Sequence, residues 1–158
     1  MFRNFFILFS IFLFIFSCKS YAESNPINAI KNESIAWENY YQNTINITDP
    51  HKTLLLAYKY FQMENILEGR AADLGAGTGR DTLFLLNSGW RVFALDAEQL
   101  SIDIILNRMD PNQISNLEVL VSSFSEMMLP KELHLINASY SLPFCNGSSI
   151  FFMASENT

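Results

Sequence analysis

From residue 35 onward the apolar residues of this 158-residue chain switch between a helical period and short strand-like runs, and each switch marks an element boundary. In IAWENYYQNT, Trp37, Tyr40 and Tyr41 fall at i, i+3 and i+4, which predicts a helix whose aromatic stripe packs in the core. A polar lead-in, ESNPINAIKNES, precedes it, and Asp49-Pro50 punctuates the chain after it. HKTLLLAYKYFQMENIL, residues 51–67, predicts a second helix with Leu54, Leu55, Tyr58 and Phe61 facing inward.

After Gly69 the character changes. RAADL, residues 70–74, is a short apolar run that enters a glycine-rich loop, and TLFLLNSG beyond it is helical in pattern with Gly89 as its stop. WRVFALD, residues 90–96, predicts a second strand, and AEQLSIDIILNRM a helix broken by Asp110-Pro111. LEVLVSSF (residues 117–124) and LHLINASY (residues 133–140) predict a third and a fourth strand, separated by FSEMMLPKE. Strands alternating with helices in this way predict an α/β fold, a doubly wound parallel sheet with helices on both faces. Such sheets bind ligands at the carboxyl ends of their strands, where the strand order reverses.

The first sixteen residues, MFRNFFILFSIFLFIF, follow a different rule. Their apolar core, Phe5 to Phe16, is twelve residues long, shorter than the roughly 20 of a bilayer-spanning helix. Arg3 ahead of it and Ser20-Tyr21-Ala22 behind it fit a signal peptide cleaved before Glu23, leaving residues 23–158 as one exported domain, periplasmic or secreted. Two membrane-tethered readings compete: a lipoprotein leader acylated at Cys18, and an uncleaved anchor.

Removing residues 1–22 takes away Arg3 and Lys19, which leaves 8 basic against 16 acidic residues and a net charge near −8. Nucleic-acid binding is disfavoured, because phosphate contacts need clustered Lys and Arg. Cys145 would be the one cysteine left, so no internal disulfide and no cysteine-based zinc site can form. His51 and His134 are the only histidines and lack metal-ligand spacing, so no metal is expected.

The candidate chemistry lies in AADLGAGTGRD, residues 71–81. Gly75, Gly77 and Gly79 sit between a strand end and a helix start, where the chain turns sharply and a ligand can approach bare backbone. A G-x-G-x-x-G dinucleotide fingerprint beginning at Gly75 would need glycine at position 80, which is Arg80, and no P-loop lysine follows. Asp96 ends the second strand twenty-one residues after Gly75, where a carboxylate can take both hydroxyls of a ribose and repel a ribose phosphate. Asp73 is expected to hold the loop amides or a ligand amine, and Asp81 to stabilise the N-terminus of the following helix.

The run DLGAGTGRDTLFLLNSGWRVFALDAE resembles the cofactor-binding half of the class I S-adenosylmethionine-dependent methyltransferases. Its G-R-D-T-L-F-L-L extension resembles the small-molecule, tellurite-resistance-type branch, as do W-E-N-Y-Y and H-K-T-L-L-L upstream and I-N-A-S-Y-S-L-P-F-C downstream. The resemblance covers roughly residues 35–146 and implies a Rossmann-like fold, S-adenosyl-L-methionine as cofactor and a small-molecule methyl acceptor. It places Asp73, Gly75, Gly77 and Gly79 along the methionine part of the cofactor and Asp96 on the ribose. Ser123 and Phe124 match the positions that contact adenine, and Asn137 and Tyr140 those at the acceptor pocket; His134 stands where the family often has an acid.

The family sheet usually has seven strands, and only NGSSIFFMASENT follows Cys145, so a C-terminally truncated domain is expected. That shortness favours a second reading, a non-catalytic cofactor-binding remnant or interaction protein, with an NAD-dependent oxidoreductase as a distant third. No general base stands out. A sulfonium methyl is already activated, so aligning the nucleophile is the main task left to such a site.

Overall fold

The structure is a computed structural model describing residues 6–7, 26–124 and 126–141, with side chains described from residue 34 onward. The expected cleavage site at Ala22, Cys18, Cys145 and the stretch after it lie outside the described residues.

The strand–helix alternation forms one parallel sheet. Its elements are β1 (Phe6–Ile7), α1 (Pro26–Thr44), α2 (Lys52–Met63), β2 (Arg70–Leu74), α3 (Arg80–Asn87), β3 (Arg91–Asp96), α4 (Gln99–Arg108), a short 3-10 turn (Pro111–Asn116), β4 (Leu117–Val121) and β5 (Leu135–Asn137). The strand order is β1-β5-β2-β3-β4, with every pairing parallel. The chain runs outward through β2, β3 and β4, then returns to place β5 on the other side of β2, so the order reverses between β2 and β5. Asp73 stands in register with both Ala94 of β3 and Asn137 of β5, which puts the ends of all three strands on one rim.

Burial alternates as a sheet covered on both faces requires. Ala71, Val92 and Leu135 join the α2–α3 side with Leu54, Phe61, Leu85 and Trp90. Their neighbours Ala72, Phe93 and Ile136 face the opposite layer with Met127 and Leu133. Trp90, fully buried, anchors the first layer, its ring 5.0 Å from Phe61 in an edge-on contact.

Several boundaries differ from the sequence expectation, each for a local reason. α1 begins at Pro26, inside the polar lead-in, where proline suits the first helical turn because its missing N–H has no partner to lose. α2 stops at Met63 rather than 67, because Asn65 adopts a left-handed φ of 59°. β5 is three residues long, and Tyr140, with φ 64°, has already left the ladder. Phe6 and Ile7, within the segment read as a leader, pair with Leu135 and Ile136 at the sheet edge.

Candidate functional site

The three loop glycines share a left-handed backbone, yet their surroundings differ. A Cβ on Gly75 (φ 70°) would lie 2.5 Å from Ser141 Cβ, and one on Gly79 (φ 80°) 2.5 Å from Ile105 Cγ1. Gly79 is therefore required by the packing of α4. A Cβ on Gly77 (φ 56°) would meet nothing within 4 Å. Gly77 is where the loop lies open to a ligand.

Asp96 organises this loop. Its Oδ2 accepts from the Gly77 amide at 2.8 Å, and its Oδ1 from the Glu98 amide at 3.1 Å and the Tyr41 hydroxyl at 3.0 Å. The Gly75 and Ala76 amides go instead to the Leu95 carbonyl at 2.8 and 3.0 Å. None of these amides is held by Asp73, contrary to the first of the two roles expected of it. The Asp73 carboxylate lies behind the loop, accepting from Thr82 Oγ1 at 2.6 Å and Asn137 Nδ2 at 2.8 Å. Burial, then the nearby Asp81 charge, push Asp73 up to about 7, against the opposing hydrogen bonds of Thr82 and Asn137.

A cleft of about 720 Å³ opens at this rim, within the range of small-molecule sites. Gly75, Gly77, Asp96, Ser123, Phe124 and Tyr140 all line it, so six of the expected residues converge. Asp73, Gly79 and Asn137 are not on its wall. Asn137 is buried and committed: Nδ2 donates to Asp73 and, at 3.0 Å, to Asp81 Oδ2, while Oδ1 accepts from Ser139 Oγ. Ser139, Tyr140 and Ser141 form that end of the wall. The Ser141 hydroxyl, buried beside Gly75, has no hydrogen-bond partner among the described residues.

The opposite wall was not foreseen. Trp37, Tyr40 and Tyr41, expected in the core, line the cleft from α1, and Tyr40 is 48% exposed. Only Tyr41 is buried, and its hydroxyl is the group that reaches Asp96. Burial, then the Asp96 carboxylate beside it, push the Tyr41 phenol well above its ordinary value, so it stays a hydrogen-bond donor.

Asp81 is also more than a helix-end charge. It sits in the first turn of α3, but its oxygens accept from the His51 amide at 2.9 Å and from His51 Nδ1 at 2.8 Å. Burial raises the Asp81 carboxyl, and the hydrogen bonds and charge of His51, with Asn137, outweigh it and hold Asp81 below its ordinary value. His134 lies at the far end of β5, where Nδ1 accepts from the Arg70 amide at 3.2 Å, a structural role. No group of three or more potential metal ligands occurs among the described residues.

A search among curated proteins finds no match. Among solved structures, a protein of Methanococcus maripaludis described as an S-adenosyl-L-methionine-dependent methyltransferase is 16% identical, with TM-score 0.54 over 86% of this chain and 61% of its own. A TehB-like S-adenosylmethionine-dependent methyltransferase of Corynebacterium glutamicum is 15% identical, with TM-score 0.52 over 75% of this chain and 61% of its own. The glycopeptide N-methyltransferase MtfA is 20% identical over 60% of this chain and 46% of its own, with TM-score 0.47. This chain thus spans less than two thirds of each. The first two likenesses establish the Rossmann-like methyltransferase fold. The profile of the family described as tellurite resistance protein TehB matches residues 34–156, most of the chain, and the chain belongs to that family.

Proposed function

We propose that the cleft binds S-adenosyl-L-methionine and that the protein transfers its methyl group to a small-molecule acceptor. The observation that carries this reading is the 2.8 Å bond from the Gly77 amide to Asp96 Oδ2, which joins the open glycine and the strand-end carboxylate on one cleft wall. The residues present fit the cofactor. Gly77 leaves bare backbone on the ligand side, Phe124 and Ser123 offer a ring and a hydroxyl for a purine, and the Ser141 hydroxyl lacks a partner among the described residues.

When bound, the cofactor supplies a methyl group activated by its sulfonium charge. The chain's own task is to hold and align. A carboxylate has about four acceptor positions, and Asp96 already uses three, on Gly77, Glu98 and Tyr41. One ribose hydroxyl can take the fourth, and the second takes the place of Tyr41. Asp73 supports the loop from behind, Gly79 through its close packing on Ile105, and Asn137 steadies the β5 end through Asp73 and Asp81. Tyr140, 61% exposed at the cleft, stands with Ser139 and the α1 aromatics where an acceptor would enter. Alignment of this kind can supply up to about 7–11 kcal/mol of the barrier.

The reading includes export: residues 1–22 act as a leader cleaved before Glu23, so that β1 belongs to the precursor and β5 becomes the sheet edge among the described residues after processing. Mass spectrometry of the protein from its expressing cells is expected to find Glu23 as the first residue; an intact Met1 or a lipid on Cys18 would replace the leader reading. Calorimetric titration with S-adenosylhomocysteine and with NAD tests the cofactor. Binding of the first alone is expected, followed by methyl transfer to one member of a panel of thiols, amines and hydroxyl compounds. Binding without turnover would make the protein a non-catalytic cofactor binder, and NAD binding would point to an oxidoreductase.

A further inference from the structure

Another cleft, of about 360 Å³, opens at the opposite end of the sheet, where β2 and β3 begin. Arg70 and Arg91, the first residues of those strands, stand in register, and both line it. Each precedes a residue of the Ala72–Phe93 core layer by two positions, so both lie on that face of the sheet, where Leu133 of the same layer also lines the cleft. Arg91 and Asp96 occupy the two ends of β3, roughly 16 Å apart at about 3.3 Å per residue. The two clefts share no lining residue.

Neighbouring strands lie about 4.8 Å apart, and like charges so placed repel each other. No carboxylate pairs with either arginine among the described residues, where the one ion pair is His51 with Asp81. Composition does not explain the pair, because the chain holds 10 basic against 16 acidic residues. Arg70 is half-buried, and its Nη1 donates to the Lys131 carbonyl at 2.9 Å, which holds the guanidinium beside the cleft. A guanidinium has five donors in a planar fork that matches phosphate oxygens, so most of two forks is left for an oxyanion. Glu118, in register with Phe93 on the same face, is the one acid lining the cleft among the described residues. A carboxylate accepts only, so it calls for hydroxyl donors on whatever the arginines hold.

We propose that this cleft binds a phosphate monoester that carries hydroxyl groups, with Arg70 and Arg91 on the phosphate and Glu118 accepting from a hydroxyl. A dianionic phosphate neutralises both arginines and removes their mutual repulsion. Glu118 disfavours a bare anion and thereby selects the hydroxylated ester. The volume lies within the range of small-molecule sites.

The test is calorimetric titration of the full chain with glucose 6-phosphate, inorganic phosphate and glucose. Glucose 6-phosphate is expected to bind more tightly than phosphate, and glucose to show no binding. Arg91→Gln should weaken glucose 6-phosphate by about 10- to 100-fold, the range for a lost charged hydrogen bond. Its ligand-free melting temperature should equal or exceed that of the wild-type protein, because the variant removes one of two repelling charges and so reports an intact fold. Arg91→Lys should recover part of the affinity. Glu118→Gln should tighten phosphate and narrow its gap to glucose 6-phosphate. Arg80→Gln, which alters the basic residue of the other cleft, should leave glucose 6-phosphate binding unchanged. No binding of the phosphate compounds by the wild-type protein, glucose 6-phosphate no tighter than phosphate or glucose, unchanged affinity in Arg91→Gln, or a loss in Arg80→Gln would each overturn the proposal.

Discussion

The Tyr41 hydroxyl donates to Asp96 Oδ1 at 3.0 Å across fifty-five positions of chain, tying α1 to the strand end that carries the candidate ribose ligand. Both side chains are buried. The bond satisfies the carboxylate while the cleft is open and yields its place to a ribose hydroxyl. Tyr41→Phe is therefore expected to lower the stability of the ligand-free protein by about 1–3 kcal/mol, the penalty of an under-satisfied buried acceptor. It should also enlarge the rise in melting temperature caused by saturating S-adenosylhomocysteine. An unchanged ligand-induced rise would show that Tyr41 and the ligand do not share Asp96.

Asp96 has two duties, and its replacement should reveal both. Asp96→Asn keeps one acceptor oxygen and turns the other into an NH2 donor, so that one of the Gly77 and Glu98 amides faces a donor in place of its acceptor. Affinity for S-adenosylhomocysteine should fall at least tenfold, and thermal unfolding should show a loss of about 1–3 kcal/mol from the loop amide left unpaired. Lost affinity with full stability would mean that the loop is held by other contacts.

The glycines offer a contrast within one loop. Gly79→Ala forces a methyl group to 2.5 Å from Ile105 Cγ1, so overpacking of about 1–3 kcal/mol adds to the left-handed backbone cost of about 1–2 kcal/mol. Gly77→Ala meets no neighbour within 4 Å and should carry the backbone cost alone, about 1–2 kcal/mol. Urea unfolding should rank Gly79→Ala below Gly77→Ala in stability, with the ligand-affinity loss larger relative to the stability loss in Gly77→Ala. A reversed stability order would contradict the packing role of Gly79.

The buried carboxylates set opposite pH dependences. Asp73 rises from 3.8 to about 7, chiefly by burial and then by the Asp81 charge. Between those values the native state holds a proton that the unfolded chain has released, so this contribution is full below about pH 4 and is lost as pH rises towards 7. Asp81 is lowered by its His51 and Asn137 partners despite its burial, so its contribution is present above the unfolded value and lost as pH falls below it. Asp73→Asn, which imitates the protonated acid on Thr82 and Asn137, should flatten the decline between pH 4 and 7 in denaturant unfolding. A decline as steep as in the wild-type protein would place the responsible proton elsewhere.

What could be read from the sequence follows from how far each signal reaches along the chain. The glycine spacing, the strand that ends on Asp96 and the helix stop at Gly89 are local features, and β2, α3 and β3 form where their patterns lie. The partners of the site were invisible for the opposite reason. Tyr41 meets Asp96, His51 meets Asp81 and Asn137 meets Asp73 over separations of 55, 30 and 64 residues, which periodicity does not encode. An aromatic stripe at helical spacing predicts one buried face, but not whether that face meets a core or a ligand cleft. Here Tyr41 is buried while Tyr40 remains half-exposed on the cleft wall. Asn137 shows the same limit: its strand-end position was readable, but the two carboxylates that take up its amide were not.

The central claim is tested most directly by a crystal structure of the chain with S-adenosylhomocysteine. The expected result has both ribose hydroxyls within hydrogen-bonding distance of the Asp96 carboxylate, the purine against Phe124 and the tail passing the backbone at Gly77. A ligand seated away from Asp96 and Gly77, or a cleft that stays empty at saturating ligand, would contradict the account.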